Sequence, residues 1–132
     1  MVSENSITII IPALNEEKRL EATVSTVVRS LKKHFDAFEV IIFNDGSKDR
    51  TGEIADSLAK RFDYVKAVHH KAPVCVGGIY KEGIRLSTMS YIMRINGKND
   101  LTEEKFDKIF KMREKAEIVI PYTTNINERS MF

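Results

Sequence analysis

The sequence has a single cysteine, no tryptophan and no long apolar run. One cysteine, Cys75, can form neither an internal disulfide nor a cysteine-based structural zinc site, which argues against a disulfide-stapled secreted scaffold and predicts a reducing, cytoplasmic location. No stretch approaches the roughly 20 apolar residues of a membrane-spanning helix, and residues 1–6 carry neither the basic nor the apolar part of a signal peptide. We therefore expect a soluble chain without a targeting segment.

An excess of charge of one sign is also missing. Lys plus Arg number 21 against 19 for Asp plus Glu, a net charge of +2. This balance gives no general electrostatic reason to expect a nucleic-acid partner, so an anion site has to be local. The length of 132 residues predicts a single domain, residues 1–132, and the 42% hydrophobic content is enough for a core.

Apolar periodicity alternates between strand-like and helix-like segments. Apolar runs predict five strands, at residues 7–11, 38–44, 64–69, 91–95 and 116–121. Helical spacing predicts four helices between them, at about residues 16–35, 50–62, 79–86 and 103–112, with residues 71–78 as a loop. The expected N-caps are Asn15, then Ser47 or Asp49, then Thr102. This order predicts an α/β fold, a mostly parallel sheet of about five strands with helices on both faces.

Ligands of such sheets bind at the carboxyl ends of the strands, near the point where the strand order reverses. The loops after the first, second and fourth strands are therefore the expected site, at residues 12–17, 44–47 and 96–100. The first loop lacks both the glycine-rich turn of a dinucleotide-binding fold and the Gly-Lys-Ser/Thr ending of a P-loop. These two kinds of phosphate site are excluded there.

Asp45 is the main candidate for binding a nucleoside. It begins an Asp-Gly-Ser turn at the end of the second strand, where a carboxylate can accept hydrogen bonds from a base N–H or from ribose hydroxyls. Gly46 allows a close approach of the backbone. Taken alone, the Asp-Gly-Ser sequence is also explained as a simple turn. Likewise, Asn15 followed by Glu16 and Glu17 is also explained as the capped start of a helix.

Taken together, in this order and spacing, two segments are more specific. Residues 8–17 (TIIIPALNEE) and 39–51 (EVIIFNDGSKDRT) resemble the opening of family 2 glycosyltransferases of the GT-A fold, most closely the dolichol-phosphate mannosyltransferase-like branch. The resemblance extends to about residue 100. It implies a nucleotide-diphospho-sugar transferase, Rossmann-like fold, with a nucleotide-sugar donor held by Pro12, Ala13, Asn15, Glu16, Asp45 and Gly46.

The next segment departs from the family pattern. The family usually has an Asn-x-Gly-Lys-Gly stretch followed by Arg-x-Gly, near the phosphates of the donor, and residues 73–76 differ from it. Gly77 and Lys81 match, and the resemblance implies that they contact the phosphates. From the residues alone, Lys81 and Arg85 are equally the solvated face of a helix.

The fourth strand carries the largest departure. The family usually ends it in Asp-x-Asp, whose carboxylates hold Mg²⁺ or Mn²⁺ on the diphosphate. Asn96-Gly97-Lys98 stands here instead, which leaves Asp100 as the nearest carboxylate for a metal. Two interpretations stay open: Lys98 supplies positive charge to the diphosphate in place of the metal, or Asn96-Gly97 is only a turn and the site has decayed.

Three further side chains with reactive or metal-binding groups are expected to be structural. His69 and His70 are adjacent on a strand and point to opposite faces, so they should not share a metal. Cys75 is expected to be a small buried apolar residue.

No residue matches the family's catalytic base, which follows the fifth strand together with the acceptor-binding portion. We therefore expect the nucleotide-sugar-binding portion of a glycosyltransferase, lacking the acceptor half, with a UDP- or GDP-linked donor and inverting transfer. The resemblance implies a polyprenyl (lipid) phosphate acceptor and, for a full-length form, the cytoplasmic face of the membrane. The alternative is a non-catalytic α/β binding or assembly module, able to form a homo-oligomer through an open strand edge. A sugar-nucleotide pyrophosphorylase is a poorer match, because residues 13–15 are not a glycine-rich basic loop.

Overall fold

The structure is a computed structural model and describes residues 3–119. Strands and helices alternate along this part of the chain as β1 (Ser6–Ala13), α1 (Leu20–His34), β2 (Ala37–Asp45), α2 (Thr51–Arg61), β3 (Val65–His70), α3 (Cys75–Leu86), β4 (Tyr91–Arg94) and α4 (Glu103–Lys111). The strands form one sheet in the order β3-β2-β1-β4, and every neighbouring pair is parallel. The predicted α/β fold is confirmed.

Helices cover both faces of this sheet. On one face, α1, α2 and α4 pack over the larger core, whose fully buried strand residues are Ile9, Ile11, Val40 and Ile42. On the other face, α3 packs over a smaller core formed by Ile10, Ile41, Phe43 and Ile79. Strands β1 and β2 are unbroken apolar runs because both of their faces are buried, as is usual in parallel sheets.

The predicted fifth strand is wrong for the part that the structure describes. Residues 116–119 follow α4 without strand pairing, and residues 120–121 lie outside the described residues. Ala116 and Glu117 instead line a groove beside β4, which is an edge strand of the described sheet. A short apolar run satisfies strand propensity, but pairing also requires the chain to return to the sheet edge in register.

Two helix starts also differ from prediction. Helix α1 begins at Leu20 rather than directly after Asn15, and α3 begins at Cys75, so Gly77 and Gly78 are helical rather than part of a loop. Glycine costs about 1 kcal/mol in a helix. Packing of α3 on the sheet offsets that cost, because it buries Ile79.

The cap of the last helix is as predicted. The Thr102 side chain accepts a hydrogen bond from the Lys105 amide at 3.3 Å, which satisfies one of the free N–H groups at the start of α4. No helix within residues 3–119 combines the length and the apolar character of a membrane span.

The order of the strands locates the expected ligand crevice. The chain moves from β1 outward through β2 to β3, and then crosses back to place β4 on the other side of β1. The order therefore reverses between β1 and β4, and the crevice of a doubly wound sheet opens at the carboxyl ends of those strands. The loops after β1, β2 and β4 meet at this edge.

Candidate nucleotide-binding site

The loops after β1 and β2 are joined by hydrogen bonds at Asn15. Its amide donates to Ser47 Oγ at 3.0 Å, and its Oδ1 accepts from the Lys48 amide at 2.9 Å. Asn15 has a φ of 55°, in the left-handed region that asparagine tolerates better than most residues. The prediction that Asn15 caps α1 is wrong, because its side chain is used to hold the neighbouring loop.

A second pair of hydrogen bonds joins the same loops. The Glu17 amide donates to Asp49 Oδ2 at 3.2 Å, and Glu17 Oε2 accepts from the Arg50 amide at 3.1 Å. Asp49 Oδ1 accepts from the Thr51 amide at 2.9 Å, so Asp49 rather than Ser47 satisfies the start of α2. Desolvation opposes ionisation, but the hydrogen bonds from Thr51 and Glu17 hold the pKa of Asp49 below its ordinary value of 3.8.

Glu16 is buried at the crevice between β1 and β4, with an exposed fraction of 7%. Its amide donates to Thr51 Oγ1 at 2.8 Å, which fixes its backbone. Its Oε2 is buried and forms an ion pair with Arg19, whose Nε lies 3.0 Å away, but it accepts no aligned hydrogen bond within residues 3–119. The Glu16 carboxylate is therefore held between the loop backbone and Arg19 at this end of β1.

The loop after β4 packs directly on Glu16. A Cβ at Gly97 would lie 3.4 Å from Glu16 Cγ and 3.5 Å from the Pro12 carbonyl oxygen, which are ordinary contact distances and show that the two loops pack on each other. The structure thus brings Pro12 and Glu16 together with the loop that carries Lys98.

That loop closes on itself. Asn96 Oδ1 accepts from the Lys98 amide at 3.0 Å, and Asn96 Nδ2 donates to Asp100 Oδ2 at 3.0 Å. The Lys98 side chain is exposed, as is Asp100. An ammonium group is therefore presented to solvent beyond the carboxyl end of β4, on the loop that packs against Glu16.

The residues present at this loop do not fit a divalent cation. An amide and an ammonium occupy the two Asp-x-Asp positions, and the Asp100 carboxylate is engaged by Asn96. Within residues 3–119, no three metal-ligating side chains are grouped. Asp100 alone would leave a Mg²⁺ or Mn²⁺ ion with a single protein carboxylate.

Asp45 lies at the end of β2, on the α3 face of the sheet, with an exposed fraction of 5%. Its Oδ1 accepts from the Val74 amide at 2.9 Å and lies 3.0 Å from His70 Nδ1. Its Oδ2 makes no hydrogen bond within residues 3–119 and is not among the fully buried atoms. The carboxylate is therefore not sealed against its own turn and keeps one oxygen for a ligand.

The segment 71–74 covers the turn after Asp45. Gly46 has a φ of 77°, and a Cβ there would lie 3.0 Å from Pro73 Cδ and 3.1 Å from the Ala72 backbone. Glycine is required on both counts, since a side chain would be strained and would push the segment away.

His70 is the residue of this site that the sequence did not indicate. It is the register partner of Asp45 in the neighbouring strand β3, and its Nε2 lies 2.8 Å from Glu82 Oε2 of α3. The hydrogen bond to Asp45 raises the pKa of His70 above its ordinary value of 6.5, with a further contribution from Glu82 and against desolvation. Only the strand register, which sequence patterns do not supply, places it opposite Asp45.

His69 points to the opposite face of β3, as predicted. Its Nε2 lies 2.7 Å from Asp56 Oδ1 of α2, and its Nδ1 lies 3.0 Å from Asn44 Nδ2. The two histidines therefore have separate partners.

The remaining predicted site residues contribute no side-chain contact to these groups within residues 3–119. The Ala13 side chain is in the core, so only its backbone faces the loops. Gly77 and Lys81 lie on the exposed surface of α3, and a Cβ at Gly77 would meet nothing within 4 Å.

Cys75 is exposed at the start of α3 with a φ of 64°, so the prediction of a buried cysteine is wrong. Its position at a surface helix start outweighs the usual preference of cysteine for burial.

Comparison with known proteins identifies similar chains. Residues 8–128 match the family model for Glycosyl transferase family 2. Glycosyltransferase AglD from Haloferax volcanii is 37% identical over 90 residues, which cover 64% of this chain and 14% of AglD. Dolichyl-phosphate beta-glucosyltransferase ALG5D from Trichomonas vaginalis is 24% identical over 131 residues, which cover 90% of this chain and 40% of ALG5D.

Solved structures show the same fold. S. aureus TarS 1-349 in complex with UDP-GlcNAc superposes with a TM-score of 0.63 at 18% identity, covering 83% of this chain and 31% of that one. The chain spans less than half the length of each of these three relatives.

Proposed function

Because the chain belongs to glycosyltransferase family 2, we propose that it binds a UDP- or GDP-linked sugar at the carboxyl ends of β1, β2 and β4. The observation that carries the proposal is Asp45, a buried carboxylate with one oxygen free of hydrogen bonds within residues 3–119. Such an oxygen can accept from a base N–H or from a ribose hydroxyl. The fold shared with TarS, whose structure contains UDP-GlcNAc, favours a UDP-linked donor.

In this proposal, the Lys98 ammonium compensates the negative charge of the diphosphate. Its exposed ammonium lies on the loop that packs against Glu16, at the point where the strand order reverses. A lysine can compensate phosphate charge directly, as a point charge with three donors. Donor binding would then not require Mg²⁺ or Mn²⁺. Gly77 and Lys81 are proposed as a second contact to the phosphates, on the basis of the family pattern alone.

For the complete reaction we propose inverting transfer of the sugar to a lipid phosphate at the cytoplasmic face of a membrane. The dolichol-phosphate branch is supported by the similarity to a dolichyl-phosphate beta-glucosyltransferase. Residues 3–119 are proposed to supply donor binding, and no catalytic base is assigned among them.

A second candidate function is a non-catalytic binding or assembly module. It is favoured by the loop after β4, in which Asn96 bonds both Lys98 and Asp100 and closes the turn on itself. The edge of β4, unpaired within the described residues, is a surface through which such a module could form a homo-oligomer.

Calorimetric titration of UDP and GDP, in EDTA and again with Mn²⁺, tests the proposal. We expect the wild type to bind at least one nucleotide in EDTA, and Asp45→Asn to weaken that binding by about tenfold or more, the size of a charge-assisted hydrogen bond. Asp56→Asn, which removes an exposed carboxylate of α2, is the matched control and should bind as the wild type does.

Absence of binding by the wild type would overturn the proposal. Equal binding by wild type and Asp45→Asn would place the nucleoside elsewhere. Binding that is retained without turnover of any nucleotide sugar would favour the module.

A further inference from the structure

Three elements meet at the ring of His70. Its Nδ1 lies 3.0 Å from Asp45 Oδ1 at the end of β2, and its Nε2 lies 2.8 Å from Glu82 Oε2 on α3. The His70 side chain itself, at the end of β3, is 14% exposed. The ring thus bridges the proposed nucleoside-binding carboxylate and the helix on the same face of the sheet.

The chemistry of these partners determines the protonation of the ring. An ionised carboxylate can only accept hydrogen bonds, so a ring nitrogen that contacts one must carry a proton. Asp45 Oδ1 is already an acceptor in its contact with the Val74 amide. With a carboxylate at each nitrogen, both contacts are made only by the doubly protonated imidazolium.

No other charged side chain of residues 3–119 pairs with this ring. The groups facing it are Asp45 from β2 and Glu82 from α3, and the Phe43 ring of β2 lies 6.0 Å from it, centroid to centroid. Both charged neighbours favour the imidazolium, in agreement with a pKa of His70 above its ordinary value.

The hydrogen bonds on Asp45 fix its orientation. Two donors, His70 Nδ1 and the Val74 amide, hold Oδ1, whereas Oδ2 has no hydrogen bond within residues 3–119. If the ring loses a proton, one nitrogen presents a lone pair to a carboxylate oxygen, and that contact becomes repulsive. Either Asp45 loses its orienting donor, or Glu82 is released and α3 is held less firmly against the site.

We propose that His70, as an imidazolium shared between Asp45 and Glu82, is the positioning residue that orients Asp45 for a nucleoside, so that donor binding weakens when the ring is deprotonated. This inference rests on the proposed function. It adds a residue and a pH dependence that donor binding by Asp45 alone would not require.

The test is calorimetric titration of UDP-GlcNAc and GDP-mannose between about pH 5 and pH 9, a range that spans the ionisation of a histidine. The phosphates of a nucleotide sugar are diesters and do not titrate there, whereas the base N–H begins to ionise at about pH 9. A change in affinity below about pH 8 therefore reports the protein. We expect wild-type affinity to fall by about tenfold as the pH rises through the pKa of His70, the size of one charge-assisted hydrogen bond.

Three variants separate positioning from general damage. His70→Gln should bind more weakly than the wild type at low pH, with a flat profile, because an amide does not titrate. Glu82→Gln should keep affinity at low pH but shift the midpoint downward by about one pH unit, because one neighbouring charge is removed. His69→Gln, on the opposite face of the same strand, is the matched control and should retain the wild-type profile.

The outcomes distinguish the two proposals. If the wild type binds neither probe at any pH, the proposed function fails and this inference fails with it. If it binds without pH dependence, or if His70→Gln binds more tightly, the role of His70 is overturned while donor binding stands. Should His70→Gln not fold, the shift of the midpoint in Glu82→Gln decides, and an unshifted midpoint overturns the inference.

Discussion

Thr8 and Glu39 are register partners in β1 and β2, and the Thr8 hydroxyl donates to Glu39 Oε1 at 2.7 Å. The same carboxylate accepts from the Thr88 amide at 2.8 Å and from Lys66 Nζ at 2.9 Å. Glu39 is 4% exposed and joins three strands to the segment after α3. Because Thr8, Lys66 and the Thr88 amide engage both carboxylate oxygens, and because Glu39 lies far along β2 from Asp45, this buried acid has a structural role.

Removal of the Glu39 carboxylate should destabilise the fold. Glu39→Ala leaves Thr8, Lys66 and the Thr88 amide without their acceptor, and we expect the free energy of unfolding to fall by about 2–4 kcal/mol, measured by urea denaturation. Glu53→Ala, at an exposed pair on α2, is the control and should have little effect. A Glu39→Ala protein as stable as the wild type would contradict this role.

The contribution of Glu39 to the free energy of unfolding should also depend on pH. Burial opposes its ionisation, but hydrogen bonds from Lys66, Thr8 and Thr88 hold the pKa of Glu39 below its ordinary value of 4.5. Its stabilisation is therefore present above about pH 4.5 and is lost as the pH falls through the lower, folded-state pKa. The difference in stability between wild type and Glu39→Ala should narrow over that acid range.

Two glycines of α3 should respond oppositely to alanine. A Cβ at Gly83 would overlap Ile10 Cδ1 and lie 2.8 Å from Ile10 Cγ1 in the sheet, whereas a Cβ at Gly77 would meet nothing within 4 Å. We expect Gly83→Ala to lower the free energy of unfolding by about 1–3 kcal/mol and Gly77→Ala to raise it by up to about 1 kcal/mol. Thermal or urea unfolding of both variants is the measurement, and similar effects would contradict the packing of α3 on β1.

Asp107 of α4 should stabilise the contact with α1 in a pH-dependent way. Hydrogen bonds from Lys33 and then Ser30 hold the pKa of Asp107 well below its ordinary value of 3.8. A depressed pKa means that the stabilisation is present above about pH 3.8 and is lost as the pH falls through the folded-state value. Asp107→Asn should therefore be less stable than the wild type at neutral pH, and the difference should disappear in strong acid.

Denaturation of both proteins at a series of pH values measures this effect. Glu104→Gln is the matched control, since Glu104 lies on the same helix and forms an exposed pair with Lys108. An Asp107→Asn protein whose deficit stays constant down to strong acid would show that the lost contact is not ionic.

Lys98 should contribute to binding of the phosphates and not to binding of the nucleoside. In the proposed site, Lys98→Ala is expected to weaken UDP binding by about tenfold, while uridine binding stays unchanged because uridine has no phosphate. Lys105→Ala removes an exposed charge from α4 and serves as the control. Equal losses for UDP and uridine would indicate a general disturbance of the loop after β4.

Much of the fold could be predicted from local pattern. The apolar runs at residues 7–11 and 38–44 became the two central strands, since an isoleucine-rich segment without alternation is stable when both faces are covered. The Thr102 cap was equally readable, because capping depends on neighbours three residues away. The run at residues 116–119 also contains branched apolar residues but has no pairing in the described structure, because strand pairing depends on residues that are distant in the sequence.

Some features of the candidate site could likewise be predicted from the sequence, whereas others could not. The order and spacing of residues 8–17 and 39–51 were enough to indicate the family and to single out Asp45. These motifs are made of contiguous residues, so they can be recognised in the sequence without the structure. Three facts appeared only in the tertiary structure. Asn15 binds the neighbouring loop, Cys75 begins a helix, and His70 lies between Asp45 and Glu82. Those facts depend on strand register and on the packing of α3, which arise from the burial of side chains far apart in sequence.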